Sequence, residues 1–161
     1  MDVSAAAGLD TRLTDDHHES LRLWLRLLTC THLIETHVRK ALAAQFKTTL
    51  PRFDLMAQLE RAPHGLQMGE LSRRMLVTGG NVTGIVDQLE RSGLIVRTQD
   101  PADRRAYLVK LTKEGRRLFA QMAAEHESWI VNLFSGIPKR EQRALNESLS
   151  RLRVQLTRKT P

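Results

Sequence analysis

The fold is decided by residues 68–112, which read MGELSRRMLVTGGNVTGIVDQLERSGLIVRTQDPADRRAYLVKLT. Apolar residues recur at helical spacing around 68–75, and this spacing predicts a short first helix. Residues 77–81 interrupt the pattern, since Gly79 and Gly80 lower helix propensity and Thr78 or Asn81 can cap the next helix. A second apolar stripe at i, i+3, i+4 and i+7 predicts that second helix and consists of Val82, Ile85, Val86 and Leu89.

A β-hairpin is predicted directly after the second helix. Gly93 suits the left-handed conformation at the end of a helix, so Ser92-Gly93 predicts its C-terminus. Two short apolar runs, residues 94–96 and 107–109, flank a charged tip that reads Asp100-Pro101-Ala102-Asp103-Arg104-Arg105. Helix, turn, helix and hairpin together predict a winged helix-turn-helix. Such a unit places its second helix in the major groove of DNA.

The same stretch resembles the multiple antibiotic resistance regulator (MarR) family. Asp103-Arg104-Arg105, followed at matching spacing by Val109 and Leu111-Thr112, is similar to the family's wing signature. The preceding helix end, residues 89–95, and Arg97 stand in the family's order, and the resemblance extends over residues 15–157. It implies a homodimeric, mostly helical transcription regulator that a small ligand often releases from DNA.

Composition favours a soluble chain with a polyanionic partner. The chain has 161 residues, of which 41% are hydrophobic and only 4% aromatic, so the core is aliphatic. The net charge is +7, and a basic chain most often binds nucleic acid. Basic and acidic residues number six and six in 1–50, nine and seven in 51–112, and ten and five in 113–161. The predicted DNA-binding unit is therefore only mildly basic, and its wing carries most of the local charge.

The predicted fold class is mostly α with a small β-hairpin wing, in which N- and C-terminal dimerisation helices flank the winged helix-turn-helix. The ends of the chain carry long apolar helical stripes, and the last helix has a narrow leucine seam suited to helix–helix packing. We expect one compact domain with four segments: a loose arm (1–13), N-terminal dimerisation helices (14–50), the DNA-binding unit (51–112) and C-terminal dimerisation helices (113–161).

The candidate DNA contacts lie on the predicted second helix (the recognition helix), on the first helix before it and in the wing. Asn81 can pair with an adenine edge and Thr83 can meet a thymine methyl group, although Thr78 and Asn81 can equally be mere helix caps. The resemblance implies a minor-groove role for Arg105, and we expect Asp103 to brace a nearby arginine such as Arg97. The full set of candidates is Arg73, Arg74, Thr78, Gly79, Gly80, Asn81, Thr83, Gly84, Gln88, Arg97, Asp103, Arg104 and Arg105.

An effector pocket follows from the resemblance, which places it between the dimer helices and the winged unit. Aromatic side chains beside a His or Arg would suit an aromatic carboxylate or its coenzyme A thioester. The mapped residues are Trp24, His32, His37, Phe46, Arg52, Phe53 and Met56. The predicted function is a repressor of aromatic catabolism genes that such a ligand releases from a pseudo-palindromic operator.

Other functions remain as alternatives. One is an architectural DNA-binding protein without ligand response, another is a domain that binds protein partners, and a third is redox sensing through Cys30. Cys30 lies well inside a predicted helix beside Leu28 and Leu33, which favours a buried hydrophobic role. The chain contains none of the GxSxG, P-loop, GxGxxG, CxxC or HExxH motifs, so we predict no enzyme, cofactor or metal. One cysteine and no long apolar run predict a cytoplasmic protein.

Overall fold

The structure is a computed structural model and describes residues 18–75, 81–103 and 105–159. Within these ranges the helices are α1 (Glu19–Phe46), α2 (Leu50–Glu60), α3 (Met68–Arg74), α4 (Val82–Arg91), α5 (Lys113–Leu133) and α6 (Lys139–Lys159). The strands are β1 (Leu66–Gln67), β2 (Ile95–Gln99) and β3 (Tyr107–Leu111). The predicted mostly α fold with a hairpin wing is confirmed. The chain divides into two compact units, residues 1–126 and 127–161.

Helix α2 forms the centre of the first unit. Thr49 caps its N-terminus by accepting a hydrogen bond from the amide of Arg52, and Pro51 stands in the first turn, where no amide is needed. The helix contacts α1, α3, α4 and β3. Its inward residues are almost fully buried and include Leu55, Met56 and Leu59. These four elements are therefore oriented by packing against α2.

Helix α4 buries the predicted apolar stripe, since Ile85, Val86 and Leu89 are all buried. It ends as the sequence predicts. Gly93 has a φ of +70°, its amide donates to the carbonyl of Glu90 (2.9 Å), and the amide of Leu94 donates to the carbonyl of Leu89 (3.0 Å). This Schellman arrangement satisfies the last carbonyls of the helix and directs the chain into β2.

The sheet has the order β1-β3-β2 and is antiparallel throughout. Strands β2 and β3 form the predicted hairpin, with Ile95 opposite Leu111 and Gln99 opposite Tyr107. Strand β1, in which Leu66 pairs with Val109, is absent from the sequence-based prediction. Two residues are too short to show a strand periodicity, so only the tertiary pairing identifies them.

Helix α1 is a single continuous helix that leaves most of its apolar surface exposed. Only Val38 and Leu42 are buried. Residues 14–17, where the predicted N-terminal dimerisation segment begins, lie outside the described residues. The exposed apolar side chains of α1 are Leu21, Leu23, Trp24, Leu28 and Leu33. Cys30 is exposed as well, so the prediction of a buried Cys30 is wrong. Its position inside the helix sequence did not reveal which face it occupies.

In the second unit, residues 127–161, the turn between α5 and α6 is closed by one side chain. The amide group of Gln142 donates to the carbonyl oxygens of Phe134 (2.9 Å) and Ile137 (2.8 Å). The leucine seam of α6 is largely exposed, since Leu145, Leu149 and Leu156 each keep more than a third of their surface accessible. Across the described ranges, no helix is long and apolar enough to span a lipid bilayer.

The first turn of α5 is anchored to the chain reversal that follows α4. The Thr112 hydroxyl donates to the carbonyl of Gly93 (2.7 Å) and accepts from the amide of Gly115 (3.0 Å). The amide of Thr112 donates to the carbonyl of Leu94 (3.0 Å). Gly115 is buried there, and a Cβ at this position would lie 1.9 Å from the carbonyl oxygen of Leu94. Only glycine allows this close backbone approach.

We expect Gly115→Ala to lower the free energy of unfolding by about 1–3 kcal/mol, the usual cost of overpacking a closed site. Urea unfolding followed by circular dichroism measures this. Gly69→Ala is the matched control, because a Cβ there meets nothing within 4 Å and the helix gains up to about 1 kcal/mol from alanine. Equal unfolding free energies for both variants would contradict the close approach.

Candidate DNA-binding surface

Helix α4 presents a polar face to solvent because its opposite face is buried. Asn81, Thr83 and Gln88 are exposed, and Gly84 is half-buried beside them. Asn81 occupies the N-cap position, yet within the described residues its side chain makes no capping hydrogen bond. Its carboxamide is therefore available for another partner. Thr78, Gly79 and Gly80 lie outside the described residues.

The wing tip is organised by a side-chain turn. The Asp103 carboxylate accepts a hydrogen bond from the amide of Arg105 (2.9 Å), and the Asp103 carbonyl accepts from the amide of Ala106 (2.9 Å). Arg105 is exposed, and Arg104 lies outside the described residues. The predicted bracing of Arg97 by Asp103 is wrong. Asp103 instead shapes the local backbone, as aspartates in turns commonly do.

Asp100 anchors the base of the wing and was missed by the sequence analysis. Its carboxylate is buried and accepts from the Gln67 side chain (2.8 Å) and the Ala102 amide (2.9 Å). The hydrogen bond from Gln67, followed by that from Ala102, lowers the pKa of Asp100 below its ordinary value. The Asp-Pro pair signals a turn, but the long-range contact with Gln67 is set by the fold.

Arg97 lies on β2 and reaches across to helix α4. Its guanidinium pairs with the carboxylates of Asp87 and Glu90, and its backbone amide donates to Glu90 (3.3 Å). The hydrogen bond to Asp87 is the main reason that the pKa of Arg97 is raised. The wing and α4 are thus tied together through one side chain.

Arg73 and Arg74 lie in the last turn of α3, the helix that precedes α4 in the chain. Both are exposed and pair with Glu70, at N–O distances of 2.8 Å and 2.6 Å. The hydrogen bond from Arg74 is the main cause of the lowered pKa of Glu70. These pairs lie on the surface, where water screens them, so either arginine can exchange Glu70 for a phosphate at small cost.

The predicted effector residues have different environments. Trp24, His32 and His37 are exposed on α1, Phe46 and Arg52 are half-buried, and Phe53 and Met56 are buried. Two open surface grooves of roughly 270–280 Å³ lie elsewhere and contain none of these residues. One is lined by Arg140, Arg143, Ala144 and Glu147, and the other by Glu19, Ser20, Arg22, Leu23 and Arg26.

Phe53 belongs to a ring cluster that the sequence analysis did not find. Its ring centroid lies 5.5 Å from that of Phe119 and 5.0 Å from that of His126. Burial lowers the pKa of His126, so the neutral imidazole is favoured against Phe53. The Nε atom of Arg52, next in sequence, is buried and has no hydrogen-bond partner among the described residues. Phe119 and His126 come from α5, distant in sequence, which is why local patterns could not connect them.

Two helices in tight succession, followed by a packed hairpin, define a winged helix-turn-helix protein. The sequence profile described as MarR family matches residues 46–106, which cover α2, β1, α3, α4, β2 and the wing tip. The winged helix-turn-helix of this chain is therefore similar to that of the MarR family.

Two curated relatives are named as transcriptional regulators. The uncharacterized HTH-type transcriptional regulator YkoM of Bacillus subtilis is 39% identical over 82 residues, which are 51% of this chain and 52% of YkoM. The transcriptional activatory protein BadR of Rhodopseudomonas palustris is 32% identical over 104 residues, 63% of this chain and 59% of BadR. The matched segment thus spans only a little over half of each relative.

Solved structures share the fold over a longer range. A MarR family transcriptional regulator from Silicibacter pomeroyi has a TM-score of 0.76 and 29% identity, and the match covers 89% of this chain and 99% of that one. CouR from Rhodococcus jostii RHA1, solved with p-coumaroyl-CoA bound, has a TM-score of 0.68 and 27% identity, over 81% of this chain and 90% of CouR.

We expect Asp100→Ala to loosen the wing, because the variant removes the acceptor that the Gln67 side chain and the Ala102 amide share. Hydrogen exchange measured by NMR should show several-fold faster exchange of the Ala102 and Arg105 amides. Gln67→Met is the control, since it removes the side-chain bridge and leaves the acceptor of the Ala102 amide in place. Unchanged exchange at Ala102 in Asp100→Ala would rule out this anchoring role.

Proposed function

We propose that this protein is a sequence-specific, DNA-binding transcriptional regulator that acts as a homodimer and is released from its operator by a small organic effector. The observation that carries the proposal is the exposed polar face of α4, beside a wing that is tied to the same helix. The relatives named above are transcriptional regulators, which supports the same activity here.

In the proposed complex, α4 lies in the major groove and the wing reaches the adjacent minor groove. Asn81 donates to and accepts from an adenine edge, and Thr83 meets a thymine methyl group. Arg105 enters the minor groove, where a narrow A·T-rich segment concentrates negative potential. The remaining predicted contacts, which include phosphate contacts, come from Arg73, Arg74, Thr78, Gly79, Gly80, Gly84, Gln88 and Arg104.

The proposed dimer uses the flanking segments 14–50 and 113–161, while residues 51–112 bind DNA. The exposed apolar residues of α1 and the exposed leucine seam of α6 support this arrangement, since a single chain leaves both in water. A two-fold symmetric dimer would present its recognition helices about one DNA turn apart, roughly 34 Å. The operator would then be pseudo-palindromic.

The proposed effector is an aromatic carboxylate or its coenzyme A thioester. The aromatic ring of Phe53 and the unpartnered Nε atom of Arg52 supply the two kinds of group that such a ligand needs, an apolar ring contact and a cationic donor. The bound p-coumaroyl-CoA of CouR is consistent with this ligand class. The family resemblance favours repression of aromatic catabolism genes, whereas the name of BadR describes activation.

Two alternatives have specific observations in their favour. The basic excess of residues 113–161 would suit an architectural protein that binds any DNA. The exposure of Cys30 leaves its thiol accessible to oxidants, as a redox-sensing regulator would require. Sequence preference in DNA binding separates the first alternative from the proposal. The response of a Cys30→Ser variant to peroxide separates the second.

Arg105→Ala should weaken binding to the DNA upstream of the protein's own coding region and reduce the slope of log affinity against log salt by about 2, because the proposed dimer loses one phosphate-associated cation in each half-site. Asn81→Ala should lose roughly 10- to 100-fold discrimination at the base pair that Asn81 contacts in each half-site. Fluorescence anisotropy at two salt concentrations measures the affinity of both variants, with two protomers bound per operator. Arg39→Ala, an exposed arginine of α1, is the control. Equal affinity for random DNA would favour the architectural alternative.

Aromatic acids or their coenzyme A thioesters should raise the melting temperature of the protein and lower its affinity for the operator. Arg52→Met should lose this response and keep ligand-free operator binding, because Arg52 is proposed to meet the effector and not DNA. A ligand at 100 times its Kd stabilises a protein by about 2.7 kcal/mol, which is a shift of several degrees. Arg61→Met, an exposed position directly after the same helix, is the matched control. The absence of any melting shift across the panel would overturn the effector proposal.

A further inference from the structure

Arg97 makes two ion pairs to one helix face. Asp87 and Glu90 are three residues apart on α4, so their carboxylates are neighbours on the helix surface. The two terminal nitrogens of the Arg97 guanidinium each pair with a different carboxylate. The backbone amide of Arg97 also donates to Glu90. Three contacts therefore join one residue of β2 to two residues of the recognition helix.

The burial of this group distinguishes it from the surface arginines nearby. About a quarter of the Arg97 side chain is accessible (26%), whereas the side chains of Arg73 and Arg74 are 76% and 43% accessible. A planar guanidinium can bridge two carboxylates at once, while the ammonium of a lysine is a point charge without that fork. The geometry therefore suits an arginine that remains paired with Asp87 and Glu90.

The position of this contact gives it leverage over the wing. Strand β2 continues for two residues beyond Arg97, to Gln99, and leads into the tip that carries Arg105. At about 3.3 Å per residue the end of the strand lies roughly 7 Å from Arg97, and the tip lies beyond it. A rotation of the strand at Arg97 therefore moves the tip further than it moves Arg97 itself. The angle between β2 and α4 therefore decides whether tip and helix can reach DNA together.

We propose that Arg97 is a positioning residue, which sets the angle between the wing and the recognition helix and does not itself contact DNA. This inference rests on the proposed DNA-binding function and replaces the direct contact that the sequence predicts for Arg97. Arg97 thus aligns the wing with the exposed face of α4.

The first test compares binding to operator and to random DNA for Arg97→Lys, Arg97→Met and the control Arg91→Met, an exposed arginine at the end of α4. A positioning residue matters only for the specific complex. Arg97→Lys and Arg97→Met should therefore lose about tenfold or more of operator affinity, with random-DNA affinity unchanged within twofold. If Arg97 contacts phosphate directly, both DNAs lose affinity alike and Arg97→Lys binds nearly as the wild type, which would overturn the proposal.

The second test removes the partners of Arg97. In an Asp87→Asn/Glu90→Gln background, Arg97→Met should have little further effect on operator binding, because the ion pairs that position the wing are already absent. A full additional loss would mean that Arg97 acts on DNA without these carboxylates, and the proposal would be wrong. Circular dichroism and urea unfolding of every variant confirm that the fold is retained.

The third test needs no DNA, so it stands even if the proposed function fails. Spin labels at Gln88→Cys and Ala102→Cys in a Cys30→Ser background report the distance between α4 and the wing, with labelled protein diluted by unlabelled protein. The distance distribution should broaden or shift in Arg97→Lys and in Asp87→Asn/Glu90→Gln, and stay as in the wild type in Arg91→Met. An unchanged distribution in both clamp variants would overturn the positioning role. If the distance distribution changes in the clamp variants but the wild type shows no preference for the operator over random DNA, the positioning role holds and the proposed function is wrong.

Discussion

Burial of one face of α4 against the rest of the winged unit is the constraint on which the exposed polar face of that helix depends. Ile85, Val86 and Leu89 are removed from water, and burying an aliphatic side chain contributes roughly 1.5–3 kcal/mol. Because the helix cannot rotate without exposing these residues, its other face must point outwards. Asn81, Thr83 and Gln88 are presented by packing that involves none of their own atoms. The hydrophobic effect here positions a polar surface.

Polar contacts then add direction to this framework. The Schellman turn at Gly93 and the hydroxyl of Thr112 hold the two ends of the hairpin at the same point, so β2 and α5 both start from the end of α4. Asp100 and Asp103 shape the tip, while Arg97 ties the strand to the helix. Most acidic residues of the winged unit are thus paired within the protein. The exposed arginines therefore give its surface a positive charge.

The flanking helices follow a different rule from the winged unit. In α1, apolar residues point in several directions, and most of them remain exposed to water. This exposure is unfavourable, and a single chain does not remove it. The match to the Silicibacter pomeroyi regulator covers most of the chain, and the profile match covers only the centre, so fold similarity extends over the helices where sequence similarity is weaker. Helical seams tolerate exchange among aliphatic residues, whereas turns and wing tips require particular residue types.

Local signals in the chain were enough to set the order and type of the main elements, because helical periodicity, the Gly93 cap and the charged hairpin tip each act over a few residues. The wing residues also carried the resemblance to the MarR family. Only the tertiary structure showed the third strand at Leu66 and the exposure of Cys30. It also showed that Arg97 pairs with Asp87 and Glu90 instead of Asp103, and that the ring of Phe53 contacts that of His126. Each of these depends on residues far apart in the chain or on the rotation of a helix about its axis. Such contacts are selected by packing of the whole unit, and no local pattern of residues encodes them.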